Sequence, residues 1–119
     1  MIVKYEMQGE YLDKWLAQLR SPNARQLKRR LFARRQYEET EQQYVERVTA
    51  SGEPVIGCAL GQFAAANPNA AFNEYGMFFL CGHPVVSKDL RAIVMCMNDW
   101  RDCSFDEIAD WLEANVERI

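Results

Sequence analysis

Histidine is nearly absent from this chain: His83 is the single one among 119 residues. Any Cys–His nucleophile pair must therefore use it with Cys58, Cys96 or Cys103, because Cys81 lies two residues away on the same strand-like run. A thiolate nucleophile needs a nearby base and some exposure, and nothing in the spacing supports either. Paired C-x2-C spacings are also missing. Cys81, His83, Cys96 and Cys103 put four soft ligands within 23 residues but not in the register of structural zinc. The acids Asp99, Asp102, Asp106, Glu107 and Asp110 lack the alternating, glycine-containing pattern of a calcium loop. No catalytic set, metal or cofactor is implied, and the chain is not expected to be an enzyme.

Long apolar runs are lacking too. Met77–Cys81 and Ala92–Met97 are the longest, far short of the ~18–20 residues of a membrane span. Met1–Gln8 carries Lys4 and Glu6 and no apolar secretion segment, which predicts a cytoplasmic protein with no membrane partner. The four cysteines, each in or beside an apolar run, are expected to be reduced and mostly buried.

What is present fits a single domain over residues 1–119, with 49% hydrophobic and 26% charged residues. A domain of this size buries roughly 65% of its unfolded surface and needs no staples. Net charge is −3, but the average conceals a division. Between Ser21 and Tyr37 stand six bases, Arg25, Lys28, Arg29, Arg30, Arg34 and Arg35, and no acid. The rest of the chain holds eight bases against seventeen acids.

Met1–Glu6 alternates loosely and suggests a short edge strand. Over Gly9–Arg20, Leu12, Trp15, Leu16 and Leu19 follow one helix face, and Ser21-Pro22-Asn23 stops it. Asn23–Ala50 reads two ways. Its Arg, Gln, Glu and Ala content favours helix. Its sparse apolar residues also suit two strands, near Lys28–Arg34 and Gln43–Thr49, joined by a polar turn. After the turn Ser51–Pro54, a helix is expected within Val55–Ala66, with Gly57 and Gly61 placed to let another element come close. Ala71–Leu80 reads as an aromatic strand bent at Gly76.

The last third is clearest. Ser87 caps a helix whose buried face is Leu90, Ile93, Val94 and Met97. After a break at Trp100–Asp102, Ser104 and Glu107 have capping-box spacing. Phe105, Ile108, Ala109, Leu112, Val116 and Ile119 form one stripe. Asp99 and Asp102 are expected to cap and turn a C-terminal helical hairpin. The fold class is α+β: a small antiparallel sheet packed with about four helices and ending in that hairpin.

Lys14-Trp15 through Leu19-Arg20-Ser21, Gly57-Cys58-Ala59-Leu60-Gly61, Met97-Asn98-Asp99 and Ser104-Phe105-Asp106-Glu107-Ile108-Ala109-Asp110-Trp111-Leu112-Glu113, in that order, resemble a family of small phage and prophage proteins. The pattern there is a tryptophan-bearing helix ending in Leu-Arg-Ser, a Cys-Leu-Gly segment, and a Leu-Asn-Asp turn leading into a Ser-Phe-x-x-Ile-Ala helix. About half the chain takes part, most specifically its C-terminal end. This sequence departs at Ala59, at Met97 in place of leucine, and in a charged insertion over Gln36–Thr49. The resemblance implies β structure before Cys58, which favours the two-strand reading, and a bacterial host cell. It carries over no catalytic residue.

Six cations without an acid can contact phosphates, with Phe32 and Tyr37 near enough to stack on bases. The alternative is that Glu38–Glu46 folds back and neutralises them across adjacent strands. Segregated charge of this kind raises association rates and orients partners. Together with the resemblance it suggests an accessory protein that binds a host protein or ribonucleoprotein complex, for instance inhibiting a defence complex such as a CRISPR effector. Direct nucleic-acid binding through residues 25–35 is the second reading.

Overall fold

The computed structural model describes residues 5–35, 38–72 and 85–119. In chain order the elements are β1 (Tyr5–Met7), α1 (Gly9–Leu19), β2 (Ala24–Gln26), α2 (Glu41–Ser51), β3 (Val55–Gly57), α3 (Ala59–Ala66), α4 (Pro68–Ala71), α5 (Lys88–Asp99), α6 (Phe105–Asn115) and β4 (Val116–Arg118).

Helix α3 is the centre. Ala59 to Ala64 are all buried, the mark of a helix covered on every side. Helices α1 and α5 both lie against it, and α6 lies on α1 and α5. The α1 stripe Leu12, Trp15, Leu16 and Leu19 is buried as its spacing predicts. Trp15 meets Phe63 edge-on at 5.3 Å and donates its indole N–H to the Ala59 carbonyl at 2.8 Å. That bond removes the desolvation penalty of an enclosed indole N–H. Buried Gln62 is likewise satisfied, accepting from Gln18 and donating to the Val55 carbonyl. At the far end of α1, Arg20 clamps Asp110 and Glu113 of α6, each at 2.9 Å.

The strands correct the expected sheet. They form two separate two-stranded ladders, β1 with β4 and β2 with β3, and both are parallel rather than antiparallel. Parallel neighbours need a long crossover between them. Helices α1 to α6 separate the first pair, and the 27–35 loop with α2 separates the second. Strand β1 supports the N-terminal edge strand only from Tyr5 onward. Residues 1–4, and residues 73–80 of the expected aromatic strand, lie outside the described residues.

Residues 43–49 are helix, not strand. Thr40 and Gln43 cap each other's backbone donors, Gly52 closes the helix at φ 72°, and Tyr44, Val45 and Val48 form its buried face. Nor is Lys28–Arg34 a strand: it is an irregular loop carrying one antiparallel bridge, Phe32 to Gly57. Val55–Gly57 is β3, so the helix expected within Val55–Ala66 starts at Ala59, capped by the Cys58 sulfur, which accepts from Gly61 N.

Ser87 and the Ser104–Glu107 box cap α5 and α6 as their spacing predicts. The stripe of α6 stops at Leu112: Val116 belongs to β4, and Ile119 is 71% exposed. Helices α5 and α6 touch, although α1 is the more extensive neighbour of α6. Of the three described cysteines, Cys58 alone is buried; Cys96, expected on a buried helix, is exposed. Among the described residues no helix is long and apolar enough to cross a membrane.

Candidate partner-binding face

Loop 27–35 leaves β2, crosses the N-terminus of α3 and runs on toward α2. Its backbone is held at alternate residues from Leu27 to Arg35. Leu27 N donates to Gly57 O, and Ala33 N donates to Ile56 O. Between them the Leu31 carbonyl accepts from Cys58 N at 3.1 Å. A Cβ on Gly57 or Gly61 would fall inside 3.0 Å of that carbonyl oxygen. The element that these two glycines admit is therefore the basic segment itself. Phe32 plugs the loop into the core beside Tyr44, at 5.0 Å between ring centres.

The other wall is the end of α5. Asn98, 1% exposed, accepts from Gln26 Nε2 at 3.0 Å and Ala59 N at 3.1 Å. It donates to Leu27 O at 3.0 Å and Asp99 Oδ1 at 2.7 Å. Asp99 Oδ1 in turn accepts Arg29 N at 2.9 Å, holding Arg29 at φ 63°. A left-handed non-glycine residue costs on the order of 1 kcal/mol and persists only where its surroundings hold it. Asp99, the last residue of α5, and Asp102, at φ 53° in the α5–α6 connection, stand at the turn as expected, and both also secure the basic loop.

The six cations fare differently. Lys28 pairs with Asp102. The Arg29 guanidinium lies 4.1 Å over the Trp100 ring. Arg34 donates to the Glu39 carbonyl. Arg25, Arg30 and Arg35 are exposed, and among the described residues their side chains have no ion pair. Glu39 does reach back, accepting from Arg35 N, but its carboxylate is gripped at both oxygens by Arg47. The Arg47 guanidinium, with help from Arg35 N, holds the Glu39 carboxyl down at about 2. Cross-strand neutralisation by Glu38–Glu46 is not the arrangement, because α2 is a helix. Tyr37 lies outside the described residues, and Phe32 is buried, so neither presents a ring to a base from this loop.

Sequence reasoning missed Trp100. It is 68% exposed and stands beside Arg29 at the start of the α5–α6 connection. Its signal was available: a large aromatic in the polar turn Asn98–Asp102 has no core position to fill. Trp and Arg together are the residues most often found to dominate binding interfaces.

Burial pushes the Cys58 thiol up to about 11, so it keeps its proton at neutral pH and offers no nucleophile. Among the described residues no three His, Cys, Asp or Glu side chains gather as a metal site. Cys81 and His83 lie outside the described residues. Comparison of the chain with protein-family models, with curated proteins and with solved structures finds no match.

Proposed function

We propose that the protein is a non-enzymatic, phage- or prophage-type accessory protein that docks on a macromolecular partner through the 25–35 segment. The partner is a host protein or ribonucleoprotein complex, and inhibition of a defence complex such as a CRISPR effector is one form of this. One observation carries this reading: among the described residues the side chains of Arg25, Arg30 and Arg35 make no ion pair, and the loop that follows Arg25 is pinned at Leu27, Arg29, Leu31 and Ala33. Cations on a fixed frame lose little freedom on binding and steer an anionic partner into register. The test is capture from a bacterial lysate at low and high salt, using wild type and a triple variant, Arg25→Glu, Arg30→Glu, Arg35→Glu. Salt-sensitive capture that the triple variant loses supports the reading; capture indifferent to both overturns it.

Exposed Trp100 beside Arg29 favours a second reading, direct contact with single-stranded nucleic acid by stacking. Short DNA and RNA oligonucleotides test it, with binding that falls linearly on a log–log salt plot as the expected result. No binding at low salt removes it.

A further inference from the structure

Beside the loop lies a cleft of about 130 Å³ between the loop, the start of α3 and the C-terminal half of α5. Its walls are mainly carbon, with Leu31, Leu60, Val94 and Met95 among the lining residues. Arg30 and Asp99 stand with them. Asp99 Oδ1 is committed to Arg29 N and Asn98 Nδ2, whereas Arg30 is exposed and has no ion pair among the described residues. A cavity of about 150 Å³ accommodates benzene, so the volume suits one large side chain. Met95 is unbranched and adapts its shape to what enters.

We propose that this cleft seats one large apolar side chain from an acidic segment of a partner protein, with Arg30 taking a carboxylate that flanks it. The inference rests on the loop reading above and gives the partner its chemistry. A nucleic acid matches it less well. Phosphate satisfies Arg30, but a base carries polar edges that the carbon-lined cleft leaves largely without partners. An acidic segment with an aromatic or aliphatic residue supplies both halves, and the arginine–carboxylate contact adds direction to a non-directional burial.

The test follows backbone amide shifts of the isotope-labelled full chain during titration with three capped peptides, Asp-Phe-Glu, Asn-Phe-Gln and Asp-Ser-Glu. Asp-Phe-Glu is expected to move the amides of Arg30, Leu31, Leu60 and Met95. The other two are expected to bind about tenfold more weakly, each lacking one half of the match. Arg30→Gln should erase the difference between Asp-Phe-Glu and Asn-Phe-Gln, and Met95→Gln should weaken Asp-Phe-Glu while leaving the unliganded spectrum folded. Unmoved cleft amides, equal response to Asp-Ser-Glu, or an oligothymidylate that moves these amides when Asp-Phe-Glu does not, each overturns the proposal. Lysate capture by the same protein separates the two levels. Capture lost in the triple loop variant, with a silent cleft, overturns the cleft alone. Capture indifferent to the triple variant overturns the loop reading and this inference with it.

Discussion

Replacing Asn98 with alanine removes four hydrogen bonds from one buried side chain. The magnitude follows from where each partner is left. Ala59 is fully buried, so its amide loses its side-chain acceptor away from water, at about 1–3 kcal/mol. Leu27 is half-buried and Gln26 exposed, so water replaces part of those bonds and each costs about 0.5–1.5 kcal/mol. Asp99 keeps Arg29 N, and its share is smaller. The total is about 2–6 kcal/mol, a large part of the ~5–15 kcal/mol that holds a domain together. In urea, with a slope of ~1–3 kcal/mol/M, the midpoint should fall by about 1–2 M. Gln26→Ala is the control: it breaks the bonds to Asn98 and to the Cys103 carbonyl from an exposed position but leaves the buried Ala59 amide its acceptor, so it should cost clearly less than Asn98→Ala. Hydrogen exchange provides a second readout, with Ala59 and Arg29 amides losing protection beyond the global change. An Asn98→Ala variant as stable as Gln26→Ala, with those amides still protected, refutes the view that Asn98 ties the basic loop to α3 and α5.

Gly57→Ala and Gly61→Ala each force a methyl against the Leu31 carbonyl, so each should destabilise by about 1–3 kcal/mol in urea melts, despite alanine's better helix propensity at 61; a neutral or stabilising result contradicts the close crossing. Glu39, held near 2 against an ordinary 4.5, adds stability that is fully present above about pH 4.5 and is lost as pH falls toward 2. Glu39→Gln should therefore be less stable than wild type at pH 7, with the gap narrowing below about pH 4.5 and closing only as pH approaches 2 in paired urea melts; a constant gap rules out the Arg47 pairing as its source. Iodoacetamide at mildly alkaline pH should label exposed Cys96 well before Cys58, read by peptide mass spectrometry, and early labelling of Cys58 contradicts its burial and raised thiol. Trp100→Ala should change stability by less than about 1 kcal/mol, since its ring is mostly in water, while weakening any partner contact made by the face.

Elements whose evidence is local were readable from the chain. Leu12 to Leu19 and Phe105 to Leu112 carry a full apolar stripe, and Ser87 and Ser104 mark the starts of α5 and α6. Helix α2 was readable in principle, since Thr40-x-x-Gln43 before Tyr44 and Gly52 after Ser51 are start and stop signals. Its stripe is thin, only Tyr44, Val45 and Val48 being buried, so the residues alone left helix and strand open and the family resemblance tipped the reading to strand. Strand direction was not readable: Tyr5 pairs with Val116 and Ala24 with Val55, and three-residue strands carry too little pattern to choose a partner. The anchoring of the basic loop was hidden for the same reason. Asn98 and Asp99 act on residues 70 or more positions away, where no spacing rule reaches.

The pairing of β1 with β4 has a mechanical consequence. Because these strands run the same way, tension applied at Tyr5 and Arg118 slides one past the other and loads the whole ladder together. Tension applied at Tyr5 and Val116 opens the same ladder one bond at a time. In single-molecule pulling the first attachment should rupture at clearly higher force than the second, giving the molecule a strong axis and a weak one.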